Sequence, residues 1–141
     1  LLVLLLQVVW GAFVAGSNAG LVYNTFPKMY QSWIAPELHS GLSALFVTQG
    51  GMQWMHRLLG TLLGILALAV YFKGRRIEPV QSTALLAITL LQYGIGIYTL
   101  LNYVPIVAGV AHQAVALILF GVSIRFHHHL STVGQRSPQV S

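Results

Sequence analysis

Apolar residues fill four stretches of this 141-residue chain, and polar segments separate them. Three of the stretches contain about 20 residues, which is the length that an α-helix needs to cross the hydrocarbon core of a bilayer. They cover residues 53–72, 82–101 and 106–126, and the fourth covers residues 1–15. The pattern therefore predicts an all-α integral membrane protein in which four helices form a bundle.

The first apolar stretch is shorter than a full span; it opens with Leu1 and contains one polar residue, Gln7. We therefore expect that the chain begins inside or just before its first helix and that upstream sequence is missing. A secretory signal peptide is the alternative, but its basic leading region is not found here.

The longest polar segment, residues 17–51, is rich in Tyr and Trp, which are typical of the membrane–water interface. Within it, residues 42–47 are apolar but too few to span a bilayer. They predict a small helix that lies on the membrane or covers a site below it.

The charges of the chain indicate its topology. Only 6% of the residues are charged, against about a quarter in a typical soluble domain. The net charge of +5 arises mainly from residues 73–76 and the C-terminal tail, and basic loops stay on the cytoplasmic or matrix side. This assigns the long loop to the outer side of a bacterial cytoplasmic membrane or a mitochondrial inner membrane, and nucleic acid is not an expected partner. The chain has no cysteine, which excludes thiolate-bound haem and iron–sulfur clusters.

A short motif, Leu-Leu-Gln followed four residues later by Gly, occurs twice. One copy ends in Gln7 and Gly11, and the other in Gln92 and Gly96. Each copy precedes a helix that carries a histidine near its outer end. The chain is therefore interpreted as two helical hairpins, each of which delivers one imidazole.

The histidines of these helices are His56 and His112. They lie about three and about six residues inside the outer ends of the predicted helices, so at a rise of about 1.5 Å per residue their depths differ by about 5 Å. Two imidazoles at similar depth on parallel helices can bind one haem iron as its axial ligands. A zinc or copper ion would need further ligands.

Small residues share a helical face with each histidine, at a spacing of three, four or eight residues. They are Gly60 and Gly64 beside His56, and Gly109 and Ala116 beside His112. A flat macrocycle requires such a slot, and we therefore count all four among the cofactor-binding residues. Packing of helices through small residues is the alternative.

Polar residues near the histidines complete the candidate site. Arg57 stands at the outer edge of the predicted bilayer, where it can bind a haem propionate through charge-assisted hydrogen bonds or, alternatively, lipid phosphate. Gln7 and Gln92 lie inside predicted helices. They either orient the imidazoles or join the helices.

The other potential metal ligands are interpreted as structural. Met29, Met52 and Met55 are assigned to packing or surface positions, and His39 has no partner that we identify. Residues 127–129 are three histidines at the start of a solvated tail, 127–141, which follows the membrane domain, 1–126. No carboxylate pair, activated nucleophile or phosphate-binding loop accompanies them, so chemistry requires a cofactor.

Four separated motifs resemble those of the haem A synthase family. They are AGLVYNTFPKM at residues 19–29, QWMHR at 53–57, YVP at 103–105 and AHQ at 111–113. Their order is that of the C-terminal half of the family, and they extend over nearly the whole chain. The outer loop lacks a cysteine pair, so the chain resembles the members that have none.

The resemblance implies an eight-helix enzyme of two similar halves, a membrane oxidoreductase that converts haem O to haem A by oxidising a ring methyl to a formyl group. It implies that this chain holds haem B through His56 and His112 as axial iron ligands and relays electrons. The substrate haem O would bind to the other half, without which we expect no activity. The electron donor and a possible homo-oligomer stay open.

Two other functions fit the same residues. A four-helix cytochrome b-like electron carrier needs the same pair of histidines but no substrate half. A structural or transport bundle would use the histidines for packing or proton transfer.

Overall fold

The structure is a computed structural model that describes the backbone of residues 1–135 and the side chains of residues 1–129. Within the described residues the regular elements are helices and there is no strand, so the predicted all-α class is confirmed. The α-helices are α1 (Leu2–Gly16), α2 (Ala44–Val47), α3 (Gln49–Gly74), α4 (Pro79–Leu101) and α5 (Ile106–Gln135). Two 3₁₀ helices, Ala19–Leu21 and Pro36–Ser40, lie between α1 and α2.

Three helices are long and apolar enough to cross a membrane, namely α3, α4 and the part of α5 up to His129. Their surfaces expose large apolar side chains, such as Leu117 at 69% and Val107 at 82%. Lipid solvates such side chains, whereas a soluble monomer rarely exposes a continuous apolar surface. The protein is therefore an integral membrane protein. The 15 residues of α1 extend about 22 Å, so a fourth span and a four-helix bundle stay predictions.

Two helices begin earlier than the hydropathy pattern predicts. α3 begins at Gln49 rather than at residue 53, because the Thr48 hydroxyl accepts a hydrogen bond from the Gly51 amide (3.1 Å) and caps the first turn. α4 begins at Pro79 rather than at residue 82, since the fixed φ angle of proline suits the first position of a helix. Hydropathy does not detect these caps.

α5 extends past the predicted end of the fourth span at residue 126 and continues to Gln135. The predicted tail therefore begins as helix, and its last part, including the basic residue Arg136, lies outside the described residues. At this inner end, His129 Nε2 lies 2.8 Å from Glu78 Oε1. The contact connects α5 to the residue that precedes α4.

The helices pack in the arrangement expected for two hairpins. α1 contacts α3, α4 contacts α5, and α3 joins the two pairs by packing on α4. Because the chain reverses at the short connections after α3 and after α4, α3 and α5 run in the same direction. The α3–α4 contact is close at its inner end, where Gly74 lies against the fully buried Ser82.

The turn between α4 and α5 is tied to the segment that follows α1. Tyr103 and Val104 have positive φ angles of 58° and 56°, which are uncommon outside glycine and especially rare for a β-branched residue such as Val104. The Val104 side chain lies 2.9 Å from the Cβ position of Gly20, so a larger residue would clash there. Asn24 Nδ2 donates a hydrogen bond to the Leu100 carbonyl (2.8 Å). These contacts hold the outer loop against the second hairpin.

α2 confirms the small helix predicted within residues 42–47. It packs over the outer ends of α1 and α3, and the ring centres of Phe46 and Trp10 are 5.3 Å apart. In the first turn of α3, a methyl group added to Gly51 would overlap the carbonyl group of Ala44. The two helices therefore meet backbone to backbone.

We expect Gly51→Ala to destabilise the protein by about 1–3 kcal/mol, a typical cost of overpacking. No side-chain rotation relieves the overlap, because the atoms that the methyl group meets belong to the backbone of Ala44. The change is measured as a lower midpoint of thermal unfolding in detergent. Gly121→Ala in α5 is the matched control, since nothing lies within 4 Å of its added methyl group. Equal midpoints for the two variants would contradict this account.

Candidate functional site

His56 and His112 meet in the interior of the protein. They lie seven residues after the first residue of α3 and six residues after the first residue of α5. These positions differ by one residue, or about 1.5 Å of helical rise. The difference predicted from the sequence was about 5 Å, and it is smaller here because α3 begins four residues earlier than predicted. The centres of the imidazole rings are 6.4 Å apart, and the ring planes are inclined by 74°.

Each imidazole forms a hydrogen bond with a glutamine of the helix that precedes its own in the hairpin. Gln7 Nε2 in α1 lies 3.2 Å from His56 Nε2, and Gln92 Nε2 in α4 lies 3.2 Å from His112 Nε2. Both contacts also join two helices, so they fit either of the roles considered for the glutamines, orienting the imidazoles or joining the helices. The site thus draws side chains from α1, α3, α4 and α5.

The second nitrogen of each ring, Nδ1, is buried and has no hydrogen-bond partner within the described part of the chain. The same holds for the Oε1 atoms of Gln7 and Gln92. A metal-binding imidazole donates the N–H of its second nitrogen to a neighbour. An amide nitrogen only donates, so Nδ1 can bind a metal once each glutamine amide is turned so that its unpartnered Oε1 accepts from the ring Nε2–H. The buried pair is consistent with a ligand that binds both rings.

The spacing of the two rings fits one metal ion between them. A bond from a metal to an imidazole nitrogen is about 2 Å long and the ring centre lies about 1 Å behind that nitrogen, so two rings on one ion have centres about 6 Å apart. The described residues contain no group of three or more His, Cys, Asp or Glu side chains able to hold a metal. A haem iron needs only two protein ligands, because the macrocycle supplies the other four. The two histidines therefore fit haem better than a bare ion.

The small residues expected to form a slot have different surroundings. The Cβ position of Gly60 lies 3.3 Å from Gln7 Nε2 and 3.7 Å from the ring of Tyr93, so this glycine admits neighbouring side chains. Gly64 has open space around its Cβ position, and the Cβ position of Gly109 lies 4.0 Å from Val104. Ala116 is half-buried. A slot along these residues stays a prediction, and only part of it is free of protein atoms.

A cavity of about 300 Å³ opens between α4 and α5. Its lining is mainly apolar and consists of Ile95, Tyr98, Pro105, Val107, Ala108 and Ala111. Ala108 lies one helical turn before His112, so the cavity is on the outer side of this imidazole. None of the two histidines and two glutamines lines it, and Val107 on its wall is 82% exposed, so the cavity opens to the outside of the helices.

Arg57 holds the outer loop. Its Nη2 donates hydrogen bonds to the carbonyl oxygen of Tyr23 (2.6 Å) and to Gln53 Oε1 (3.2 Å), and its Nη1 lies 3.4 Å from the Lys28 carbonyl. Gln53 also donates to the Tyr23 carbonyl (3.3 Å). Among the three guanidinium nitrogens of Arg57, Nε alone is buried and has no hydrogen-bond partner within the described residues. The sequence did not reveal this anchoring role, because the carbonyl partners lie about 30 residues away.

The loop is fixed to the outer end of α3 by further polar contacts. The Tyr23 hydroxyl donates to Glu37 (3.1 and 3.2 Å). Burial raises the pKa of Tyr23 above its usual value, and the bond to Glu37 raises it further, so the hydroxyl stays protonated. The Glu37 carboxylate packs on Gly50 in the first turn of α3, where the helix dipole favours a negative charge. Trp54 Nε1 donates to the Trp33 carbonyl (3.0 Å).

The remaining candidates lie away from the imidazole pair. Met29 is 2% exposed within the outer loop, and His39 is exposed there. His129 contacts Glu78 at the inner end of the molecule. The structure thus brings together the two histidines and the two glutamines, whereas these other residues belong to the loop and the inner surface.

The fold and the site define an integral membrane protein with paired histidines inside its helical region. The chain belongs to the COX15-CtaA family, described as cytochrome oxidase assembly proteins, whose family model matches residues 1–124. The resemblance found in the motifs is therefore confirmed. No solved structure matches the chain.

The most similar proteins include members from bacteria and mammals. The chain is 38% identical over 130 residues to haem A synthase of Wolbachia pipientis wMel, covering 89% of this chain and 36% of that protein. Identity to haem A synthase COX15 is 40% over 131 residues in Bos taurus, covering 87% of this chain and 32% of the relative. Identity to the Homo sapiens protein of the same name is 44% over 117 residues, covering 77% of this chain and 28% of the relative. The chain spans about a third of the length of these relatives.

We expect Arg57→Ala to loosen the outer loop without unfolding α3. The loss of its hydrogen bonds to loop carbonyls costs about 1–3 kcal/mol, so amide hydrogen exchange around residues 22–28 should become about tenfold faster or more. Hydrogen-exchange mass spectrometry in detergent measures this change. Arg76→Ala removes an exposed charge at the other end of α3 and is the control. Unchanged exchange in Arg57→Ala would show that this side chain does not anchor the loop.

Proposed function

We propose that this chain is the part of a haem A synthase that holds haem B, with His56 and His112 as the axial ligands of the iron. The observation that carries the proposal is the 6.4 Å separation of the two half-buried imidazole rings. Membership of the COX15-CtaA family supports it. The names of the bovine, human and Wolbachia relatives, all haem A synthases, support the reaction class.

The proposed reaction is the oxidation of a ring methyl group of haem O to the formyl group of haem A. The chain corresponds to about a third of its relatives' length, so we assign the substrate haem O to a region outside it, within an eight-helix protein. His56 and His112 would hold the haem, which would supply one-electron transfer when bound. The chain then takes part in an oxidoreductase as an electron relay and does not bind the substrate itself.

The residues of this chain bind, orient and shield the cofactor. The two histidines hold it, and Gln7 and Gln92 fix the rotation of the imidazoles through their hydrogen bonds. Apolar side chains on α4 and α5 line an open groove on the outer side of His112. No carboxylate lies within α3, α4 or the described part of α5, so these helices offer ligation rather than acid–base chemistry.

The outer loop covers the same end of the molecule. Arg57 uses three of its five N–H groups on the carbonyls of Tyr23 and Lys28 and on Gln53, which leaves the unpartnered Nε and one N–H of Nη1 as donors for a haem propionate. We propose that Arg57 serves both purposes. With the basic residues 73–76 on the cytoplasmic or matrix side, this loop faces outward.

We expect wild-type protein, purified in detergent and titrated with haem B, to give the absorption and electron paramagnetic resonance spectra of a low-spin, six-coordinate haem. His56→Ala and His112→Ala should each remove one axial ligand and convert the spectrum to a high-spin form. The double variant should lose haem.

His39→Ala is the matched control, because it removes an exposed histidine of the outer loop. Wild-type protein that takes up no haem, or single variants that keep the low-spin spectrum, would refute the assignment of the ligands.

A further inference from the structure

We propose that Gln7 with Gly11, and Gln92 with Gly96, are two equivalent imidazole seats that set the orientation of the haem ligands. The proposal rests on the proposed function and adds four positioning residues to it. Each seat lies on the helix before the one that carries the histidine. It consists of a glutamine that binds the ring and a glycine on which the ring lies.

The two seats have the same geometry. In each, the glutamine and the glycine are four residues apart and so lie on one face of the helix. Each glutamine Nε2 is 3.2 Å from the Nε2 atom of its histidine. The repeated motif seen in the sequence thus corresponds to a repeated contact with an imidazole.

The glycines are needed because the rings lie directly against them. A Cβ atom at Gly96 would be 2.8 Å from Cε1 of His112 and 3.4 Å from its Nδ1. A Cβ atom at Gly11 would be 3.2 Å from Cε1 of His56. The nearest atoms in both cases belong to the imidazole, so an added methyl group moves the ligand. The contact at Gly96 is the closer one, and His112 is expected to move more.

The glutamines are not explained by helix packing alone. Their Oε1 atoms are buried without a partner in the described residues, and a buried polar atom in that condition costs free energy. An apolar side chain of similar size would avoid this cost and would still pack between the helices. The use of glutamine at both positions is explained by the hydrogen bond to the imidazole, which fixes the plane of the ring.

The experiment compares Gly96→Ala with Gly94→Ala in purified protein titrated with haem B. Both variants make the same change within α4, but nothing lies within 4 Å of a Cβ at Gly94. Alanine has a higher helix propensity than glycine, so neither change weakens the helix. We expect Gly96→Ala to lower haem affinity about 10- to 100-fold, as losses around metal ligands do, and to shift the low-spin g values and the midpoint potential. Gly94→Ala should match wild type.

A second comparison covers the case in which Gly96→Ala does not fold. Gln92→Leu removes the hydrogen bond at nearly constant volume, and Gln81→Leu makes the same change at the inner end of α4. We expect only Gln92→Leu to shift the g values and the potential. Gly11→Ala and Gln7→Leu should produce the corresponding, smaller changes through His56.

The outcomes separate this proposal from the proposed function. If wild-type protein binds no haem, the proposed function fails and the seats fail with it. If wild type and the controls bind low-spin haem while Gly96→Ala and Gln92→Leu give the same affinity, g values and potential, the seats are refuted and the function stands. A loss of affinity with unchanged g values would indicate a general packing defect and would also refute the positioning role.

Discussion

The site depends on two imidazoles that lie half-buried between the helices and are each held by a side chain of another helix. A buried polar group costs free energy unless it is hydrogen-bonded. The glutamines of α1 and α4 meet this requirement for one nitrogen of each ring, whereas the other nitrogen has no partner within the described residues. Each imidazole therefore has one hydrogen-bonded nitrogen and one nitrogen without a partner within the described residues.

The same helix that carries His56 also fixes the outer loop. Gln53 and Arg57, one helical turn apart, both donate to the Tyr23 carbonyl, and Trp54 donates to the Trp33 carbonyl. A loop at a membrane surface must satisfy its own backbone groups, and here side chains of α3 do so. The position of the loop and the placement of His56 are therefore set by one structural element.

Much of this arrangement could be predicted from the sequence, because hydropathy and the repeated motif are local signals. They located the three long helices, the two hairpins and the glutamine partners of the histidines. They did not give the starts of α3 and α4, which depend on a threonine cap and a proline. They also did not give the role of Arg57 or the contact of Val104 with Gly20, since these depend on how distant segments fold against each other.

The two acidic residues of the chain, Glu37 and Glu78, are both placed at the ends of helices. Glu37 packs on the first turn of α3 and accepts a hydrogen bond from Tyr23, and Glu78 directly precedes α4 and contacts His129. Carboxylates are favoured at helix N-termini by the helix dipole, whereas inside the bilayer an unpaired charge is costly. Within α3, α4 and the described part of α5, the polar groups near the paired histidines are thus amides and hydroxyls rather than carboxylates. Glycine and glutamine, rather than further ionisable groups, lie against the two histidines.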